Sequence, residues 1–392
     1  MSHWPRVPLR EVMTLHLDAV PSVDVATVNL AGVYGFGRGL FKRGPIAPAE
    51  TTYKAFHRLN AGDFVISTPK AWEGAISRIP AELDGWFLSP VFQTFRANHD
   101  RLDTHYLDWY CKREPVWREL QQKAKGMGAR RETVSPAQFL SLEIPLPPLT
   151  EQQAIVARLD ALVDKVRQVE DHLDALERDS LCLLTTMATR KDISEEDRRA
   201  LGWEEVVISD FAKLSLNPVH VNSDELYKNI GIYSFAKGLF EKGSIDGAST
   251  SAKTLYRIRA GQFIYSRLFA FEGAYALVPK EFDGYFVSNE FPTFDINSQR
   301  SSSKFLMSLF FTEADWQDLR MSGKGVGDRR LRIQPEHILK RKVWLPPRKE
   351  QARIEKLFDC HLALKAQHAA LRSASQALMP ATLERIFEGA RS

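Results

Sequence analysis

The stretch Gly231–Gly243, "GIYSFAKGLFEKG", is a second copy of Gly32–Gly44, "GVYGFGRGLFKRG", 199 residues upstream. Alone, the first copy resembles a nucleotide loop. Gly35, Gly37 and Gly39 alternate, and such a run lets backbone approach a phosphate closely. The second copy removes that reading. Gly35 becomes Ser234 and Gly37 becomes Ala236, and a phosphate cradle needed in both copies would not survive those side chains. What persists is Gly32, Tyr34, Phe36, the run Gly39 to Phe41, Gly44, and a basic residue at Arg38/Lys237 and at Arg43/Lys242. The stretch predicts a strand-and-turn element, with its aromatics in a core and its basic residues at the surface.

The repeat runs the length of the chain. From Gly32 to Asn98, 30 of 67 aligned positions are identical without a gap. Trp4 pairs with Trp203, "WEGA" at 72 with "FEGA" at 271, and "DGWFLS" at 84 with "DGYFVS" at 283. "GMGARR" at 126 pairs with "GVGDRR" at 325, and "LPPLTEQ" at 146 with "LPPRKEQ" at 345. Solenoid repeats are about 20–50 residues long, so this period implies two duplicated domains. At 392 residues the chain also exceeds one ordinary core. Short apolar runs such as "GDFVIS" (Gly62–Ser67) and "GQFIYS" (Gly261–Ser266) read as strands between turns. "WYCKREPVWRELQQKA" (Trp109–Ala124) reads as a helix interrupted near Pro115. Residues 1–145 and 200–344 are therefore expected to be two similar mixed α/β domains.

Each domain is followed by a change of period. The proline pair of each "LPP" run closes an extended segment and a helix starts behind it, with Thr150 as a candidate N-cap in the first copy. Ile155, Leu159, Leu162, Val166, Val169, Leu173, Leu176, Leu183 and Met187 then alternate steps of three and four, broken only at Ser180. That is a coiled-coil seam on a helix of about 35 residues. In the second copy Leu357, Leu364, Leu371 and Leu378 recur every seven residues. His361, His368 and Ser375 lie between them as polar, register-setting positions near the boundary with solvent. Neither helix buries its stripe alone. The expected fold is α+β: two similar domains joined by two long antiparallel coiled-coil helices, 146–190 and 345–392, with pseudo-two-fold symmetry. Two half-sites on DNA suit such a pseudo-dimer, and the helix length would act as a ruler between them.

The net charge of +4 is compatible with nucleic acid. Candidate DNA-contacting residues are Arg38, Lys42 and Arg43 with Lys237 and Lys242 in the hairpin stretches. Lys123, Lys125, Arg130 and Arg131, with Lys324, Arg329, Arg330 and Arg332, flank the two Gly-x-Gly-x-Arg-Arg runs. Arginine there suits phosphate or guanine edges. Glu73 and Glu272, in the two "EGA" runs, read as turn or structural residues, or as acceptors from cytosine N4. No phosphate-binding G-x-x-x-x-G-K-[ST] loop is present, nor a spaced carboxylate cluster of nuclease type, and no catalytic residue or metal site is assigned. Cys111, Cys182 and Cys360 are too dispersed for a disulfide framework or a zinc site and read as reduced thiols. No apolar run spans a bilayer.

With "LPPLTEQQAIVARLDALVDKV" and "LPPRKEQARIEKLF" each opening a long helix behind a domain, the chain resembles the specificity (S) subunits of type I restriction–modification systems. The resemblance implies a non-catalytic subunit with two target recognition domains reading a bipartite double-stranded DNA target. It implies two methyltransferase (M) subunits and restriction (R) subunits as partners, with S-adenosylmethionine, ATP and Mg on those partners and no cofactor on this chain. It further implies a cytoplasmic role in phage defence, with no membrane partner. Pro147, Pro148, Glu151 and Gln152, with Pro346, Pro347, Glu350 and Gln351, mark the two helix starts. Leu159, Leu162, Val166, Leu357, Leu364 and Leu371 would carry helix packing and partner docking. The competing classes are a stand-alone DNA-modifying or DNA-cleaving enzyme and a coiled-coil interaction scaffold.

Overall fold

The computed structural model describes residues 4–25, 27–47, 50–124, 132–320 (backbone alone at 317–320) and 332–388. In the first half the strands are β1 (Arg6–Pro8), β2 (Met13–Leu15), β3 (Asp18–Pro21), β4 (Val28–Val33), β5 (Leu40–Ile46), β6 (Ala55–Arg58), β7 (Phe64–Ser67), β8 (Ile76–Arg78), β9 (Phe87–Leu88), β10 (Phe92–Ala97) and β11 (Glu143–Pro145). Helices α1 (Thr104–Cys111), α2 (Glu114–Lys123) and α3 (Pro136–Leu140) lie between β10 and β11, and α4 (Leu149–Thr189) follows. Pro115 stands in the first turn of α2, where a missing N–H costs nothing, and so starts that helix after the break.

The strands form sheets in the orders β2-β10-β7-β8, β3-β6-β9-β4-β5 and β1-β11. The second half, after α5 (Glu195–Ala200), repeats this plan. Its strands are β12 (Glu204–Val207), β13 (Ala212–Leu214), β14 (Pro218–His220), β15 (Leu226–Ile232), β16 (Leu239–Asp246), β17 (Thr254–Arg257), β18 (Phe263–Tyr265), β19 (Tyr275–Leu277), β20 (Phe286–Val287), β21 (Thr293–Ile296) and β22 (Lys342–Leu345). They pair as β13-β21-β18-β19, β14-β17-β20-β15-β16 and β12-β22. Helices α6 (Ser303–Ser308), α7 (Glu313–Arg320), α8 (Pro335–Leu339) and α9 (Arg348–Glu388) complete the chain.

The fold divides into two units, residues 1–170 with 371–392, and residues 171–370. In the first unit Phe64, Phe95, Phe139, Tyr106 and Tyr110 fill the core, joined by Val156 and Leu159 of α4 and by Leu383 and Phe387 of α9. The Phe387 ring stands edge-on to Tyr106 and Tyr110, with centroids 5.5 and 5.2 Å away. The Arg113 side chain is almost wholly buried and forks onto Glu384 at 3.2 and 2.5 Å. That two-bond geometry compensates the cost of burying its charge. In the second unit Leu184 and Ala188 of α4, with Ile354 and Phe358 of α9, close over Phe263, Tyr265, Phe294 and Phe305.

Each long helix is fastened at its start by a glutamine. Gln152 is fully buried. Its amide donates to the Arg101 and Pro147 carbonyls at 2.9 and 2.8 Å, and its oxygen accepts from the Asp103 N–H at 2.8 Å. Gln351 donates to the Arg300 and Pro346 carbonyls at 3.0 and 2.9 Å and accepts from Arg348 at 2.8 Å. The Leu-Pro-Pro-x-x-Glu-Gln run therefore has a direct physical reason. The prolines end the strand, and the glutamine satisfies backbone groups that nothing else in the junction reaches. Thr150 lies within the first turn of α4 rather than capping it.

The helix seam differs from the expected phase. Both α4 and α9 run 41 residues, so α4 is longer than the stretch of about 35 anticipated for it. On α4 the inward face carries Val156, Leu159, Leu173, Leu184 and Ala188, and the half-buried Ser180 belongs to it. Val169, Leu176 and Leu183 are exposed. On α9 the histidines are the buried positions and Leu371 and Leu378 the exposed ones, the reverse of the expected assignment. In the second unit His361 hydrogen-bonds the Ser180 hydroxyl at 2.8 Å, and His368 meets the Glu177 carboxylate at 2.9 Å. The α4 number falls as the α9 number rises, so the two segments run antiparallel.

Two outcomes follow from this packing. Gln152→Ala strands three backbone groups, each worth about 1–3 kcal/mol when left unpaired, so urea unfolding should show a loss of about 2 kcal/mol or more. His361 has its pKa lowered by burial and by Lys365, against a smaller opposing pull from Glu177. The unfolded chain therefore binds more protons just below the ordinary histidine value of 6.5. Stability is full above that value and is lost as pH falls below it. The melting temperature should drop between about pH 7 and 5, and His361→Gln should flatten that drop.

Candidate DNA interface

The hairpin of β4 and β5 carries the candidate basic residues, and its shape depends on two local features. The first is a bulge. Leu30 pairs with Gly44 but Ala31 with Lys42, so Arg43 is the extra residue. In the second domain Asn229 pairs with Gly243 and Ile230 with Glu241, leaving Lys242 as the extra residue. Gly44 and Gly243 take φ of +111° and +94°, which explains why those two glycines persist in both copies. A bulge re-aims the side chain it carries, and both domains place a cation there.

The second feature is the tip. The Gly32 backbone lies under the Phe41 ring, where an added Cβ would stand 2.4 Å from it, and Tyr34 stacks on the same ring at 4.2 Å. Gly231, Phe240 and Tyr233 repeat this, with 2.3 and 4.3 Å. Beyond the stack the chain turns left-handed at two successive residues, Phe36 and Gly37 (φ 62° and 64°), matched by Phe235 and Ala236 (61° and 49°). The turn recurs although the second glycine does not. It lifts the aromatics out: Tyr34, Phe36, Tyr233 and Phe235 are exposed, not in the core as the sequence suggested.

Arg38 is exposed, donates to the Gly35 carbonyl at 3.1 Å and lies over the Tyr34 ring. Lys237 lies over Phe235 at 5.7 Å, and Lys42 over Trp86 at 5.3 Å. Arg38, Lys42 and Arg43 thus share one hairpin in the first domain, and Lys237 and Lys242 its counterpart in the second. Lys123 and Arg332 stand elsewhere and pair with acids, Lys123 with Glu119 at 3.6 Å and Arg332 with Glu290 at 3.0 Å. Lys125, Arg130, Arg131, Lys324, Arg329 and Arg330 lie outside the described residues.

Glu73 and Glu272 sit against the hairpin tips. Their backbone carbonyls accept from the Phe36 and Phe235 N–H at 2.7 and 2.8 Å, while their carboxylates hold Lys70 and Ser234. Among the described residues no three His, Cys, Asp or Glu side chains gather as a metal site, and no helix is long and apolar enough to cross a membrane. Burial pushes the Cys111 thiol well up, while Cys182 and Cys360 are exposed.

Of the helix residues, Pro147, Pro148, Pro346 and Pro347 border the glutamine clamps, and the Pro148 and Pro347 carbonyls accept from the Glu151 and Glu350 N–H at 2.9 Å each. Leu159 is buried, Leu162, Val166, Leu357 and Leu364 are half-buried, and Leu371 is exposed.

One polar cluster went unseen in the sequence. Buried Asp63 holds Arg96 at 3.0 and 2.9 Å and His16 at 3.1 Å. The matching positions in the second domain are Gln262, Asp295 and Ser215, with Arg259 joining at 2.7 Å from Asp295. Hydrogen bonding to Asp63 raises the Arg96 pKa. Burial opposes ionisation of Asp295, but bonds from Ser215, Gln262 and Arg259 prevail and lower its pKa. An aspartate stays at the centre but moves to the other position of the pair: Asp63 becomes Gln262 and Arg96 becomes Asp295, a charge reversal that aligning the halves would have found.

Residues 1–178 match the type I restriction modification DNA specificity domain. No curated protein matches the chain in sequence. Among solved structures, the HsdS subunit from Thermoanaerobacter tengcongensis aligns over 100% of this chain and 98% of its own, at 19% identity and a TM-score of 0.57. A chain from a structure describing complex assembly and conformational transition of the type I R-M system aligns over 100% and 99%, at 18% identity and a TM-score of 0.64. At such identities these likenesses establish a shared fold along the whole length. Residues 1–178 thus carry a type I restriction modification DNA specificity domain, and the internal repeat sets a second copy of the same plan behind it.

Replacing Arg38 and Arg43 with Ala should weaken duplex binding by the assembled protein. The slope of log affinity against log salt should become shallower by about one for each phosphate no longer neutralised, which a titration at several salt concentrations reads directly.

Proposed function

We propose that residues 1–145 and 200–344 each recognise one half of a split double-stranded DNA target. The helices 146–190 and 345–392 act as spacer and as the docking surface for methyltransferase subunits. The observation that carries this reading is the recurrence of a cation on the hairpin bulge, Arg43 and Lys242, beside an exposed aromatic tip in both domains. Phosphate contacts from such residues position a domain while base contacts specify. The exposed Val169, Leu176 and Leu183, at seven-residue intervals on α4, supply an apolar face for a partner helix. Two M subunits and R subunits are the proposed partners. S-adenosylmethionine, ATP and Mg belong to them, and the assembly works on DNA in the cytoplasm.

Because the hairpin and sheet plan recur, the two half-sites should be related in sequence and inverted in orientation. Co-expression with the methyltransferase subunit, followed by mapping of methylated motifs, tests this. A split motif with similar arms is expected, and two unrelated arms would refute the inference. Inserting four residues into both helices adds about 6 Å. The gap between the arms should then grow by about two base pairs, given a rise of about 3.4 Å each.

A further inference from the structure

We propose that Phe36 and Phe235 are wedge side chains that enter the base stack of the bound DNA, one in each half of the target. The proposal rests on the reading of the hairpins as DNA-facing and specifies what their tips do.

Phe36 and Phe235 are 65% and 61% exposed at equivalent places in the two domains. Both take a left-handed φ, 62° and 61°, which a side chain with a Cβ holds only at a cost in energy. Folding alone favours glycine there, as at Gly37 one residue on. Instead both copies keep phenylalanine, and the surroundings enforce the strained turn. The Phe36 N–H donates to the Glu73 carbonyl at 2.7 Å and the Gly37 N–H to the Gly74 carbonyl at 2.9 Å. The second copy repeats this from Phe235 and Ala236 to Glu272 and Gly273 at 2.8 and 2.7 Å.

The rings also have a rigid base. Phe36 stands edge-on to Trp117, and Phe235 to Trp316, each with centroids 6.1 Å apart. Both tryptophans are fixed through their indole N–H, to the Cys111 carbonyl at 2.6 Å and the Phe310 carbonyl at 2.8 Å. They pack so closely on Gly74 and Gly273 that a Cβ there would stand 2.6 and 2.5 Å away. A strained, preorganised, exposed aromatic next to Arg38 or Lys237 has the chemistry of an intercalating wedge: apolar at the tip, cationic at the flank. Unstacking cost depends on the base step, so the wedge would add sequence preference at a step where no hydrogen bond is made.

The test uses the full chain assembled with its methyltransferase subunits. The probe is a set of duplexes of its mapped target carrying 2-aminopurine at successive positions. The wild-type complex should raise fluorescence at one step per half-site. Phe36→Ala should abolish that rise in one half and Phe235→Ala in the other, with affinity falling at least about fivefold, as loss of one stacked base predicts. The salt slope should not change, which separates these variants from Arg38→Ala. Phe36→Gly should lose affinity equally while its melting temperature holds or rises, because the backbone strain is relieved. A purely structural role would lower it.

Wild-type affinity and fluorescence in the double alanine variant would overturn the wedge while leaving DNA recognition intact. So would a loss confined to methyltransferase-subunit binding, which would assign the tips to a protein contact. Absence of salt-dependent duplex binding by the wild-type complex would overturn the DNA reading of the hairpins, and the wedge with it.

Discussion

Gln152 and Gln351 each solve a problem that the fold itself creates. A strand must end and a 41-residue helix must begin within four residues, next to the loop that precedes another helix. Carbonyls at Arg101 and Pro147, and at Arg300 and Pro346, are left facing inward, away from water. A primary amide supplies two donors and one acceptor from a single rigid group, which no apolar residue of that size does. With the clamp in place the first turns of α4 and α9 have a fixed direction, and every packing interaction further along those helices inherits it.

Above the clamps, stability and specificity are divided along the helices. The ends of the seam are apolar and merge with the domain cores, through Val156 and Leu159 against Leu383 and Phe387 in one unit, and Leu184 and Ala188 against Ile354 and Phe358 in the other. The polar contacts of Ser180 with His361 and Glu177 with His368 stand away from those ends. A one-turn slip would leave a buried histidine without its partner, whereas leucines would tolerate the slip. The polar pairs therefore cost burial energy and return register.

How much of this was legible follows from what each signal measures. The repeat was legible because both copies must fold alike, so Gly32 under Phe41 and Gly44 at the bulge are forced twice by the same geometry. The Leu-Pro-Pro-x-x-Glu-Gln run was legible as a helix start, though the role of its glutamine needed the side-chain geometry. The seam phase was not. Leu176, Leu183, Leu371 and Leu378 repeat at seven residues as faithfully as any buried stripe, and spacing alone does not tell a face turned to a neighbouring helix from one left open. The hairpin aromatics misled for a related reason. Their recurrence in both copies points to core packing, but two successive left-handed residues turn the tip outward. The Asp63–Arg96 cluster escaped because its members are 33 residues apart and its carboxylate moves to the other position, Asp295, in the second copy.

The division into units also orders events in time. Residues 171–370 form an unbroken stretch, while the first unit needs 371–392 to complete its core. On the ribosome the second unit can close as soon as its own stretch has emerged. The first must wait, with the faces of Tyr106 and Tyr110 uncovered, until Phe387 of α9 has been made. A nascent chain without the last turn of α9 would therefore hold the second unit closed and leave the aromatic core of the first open.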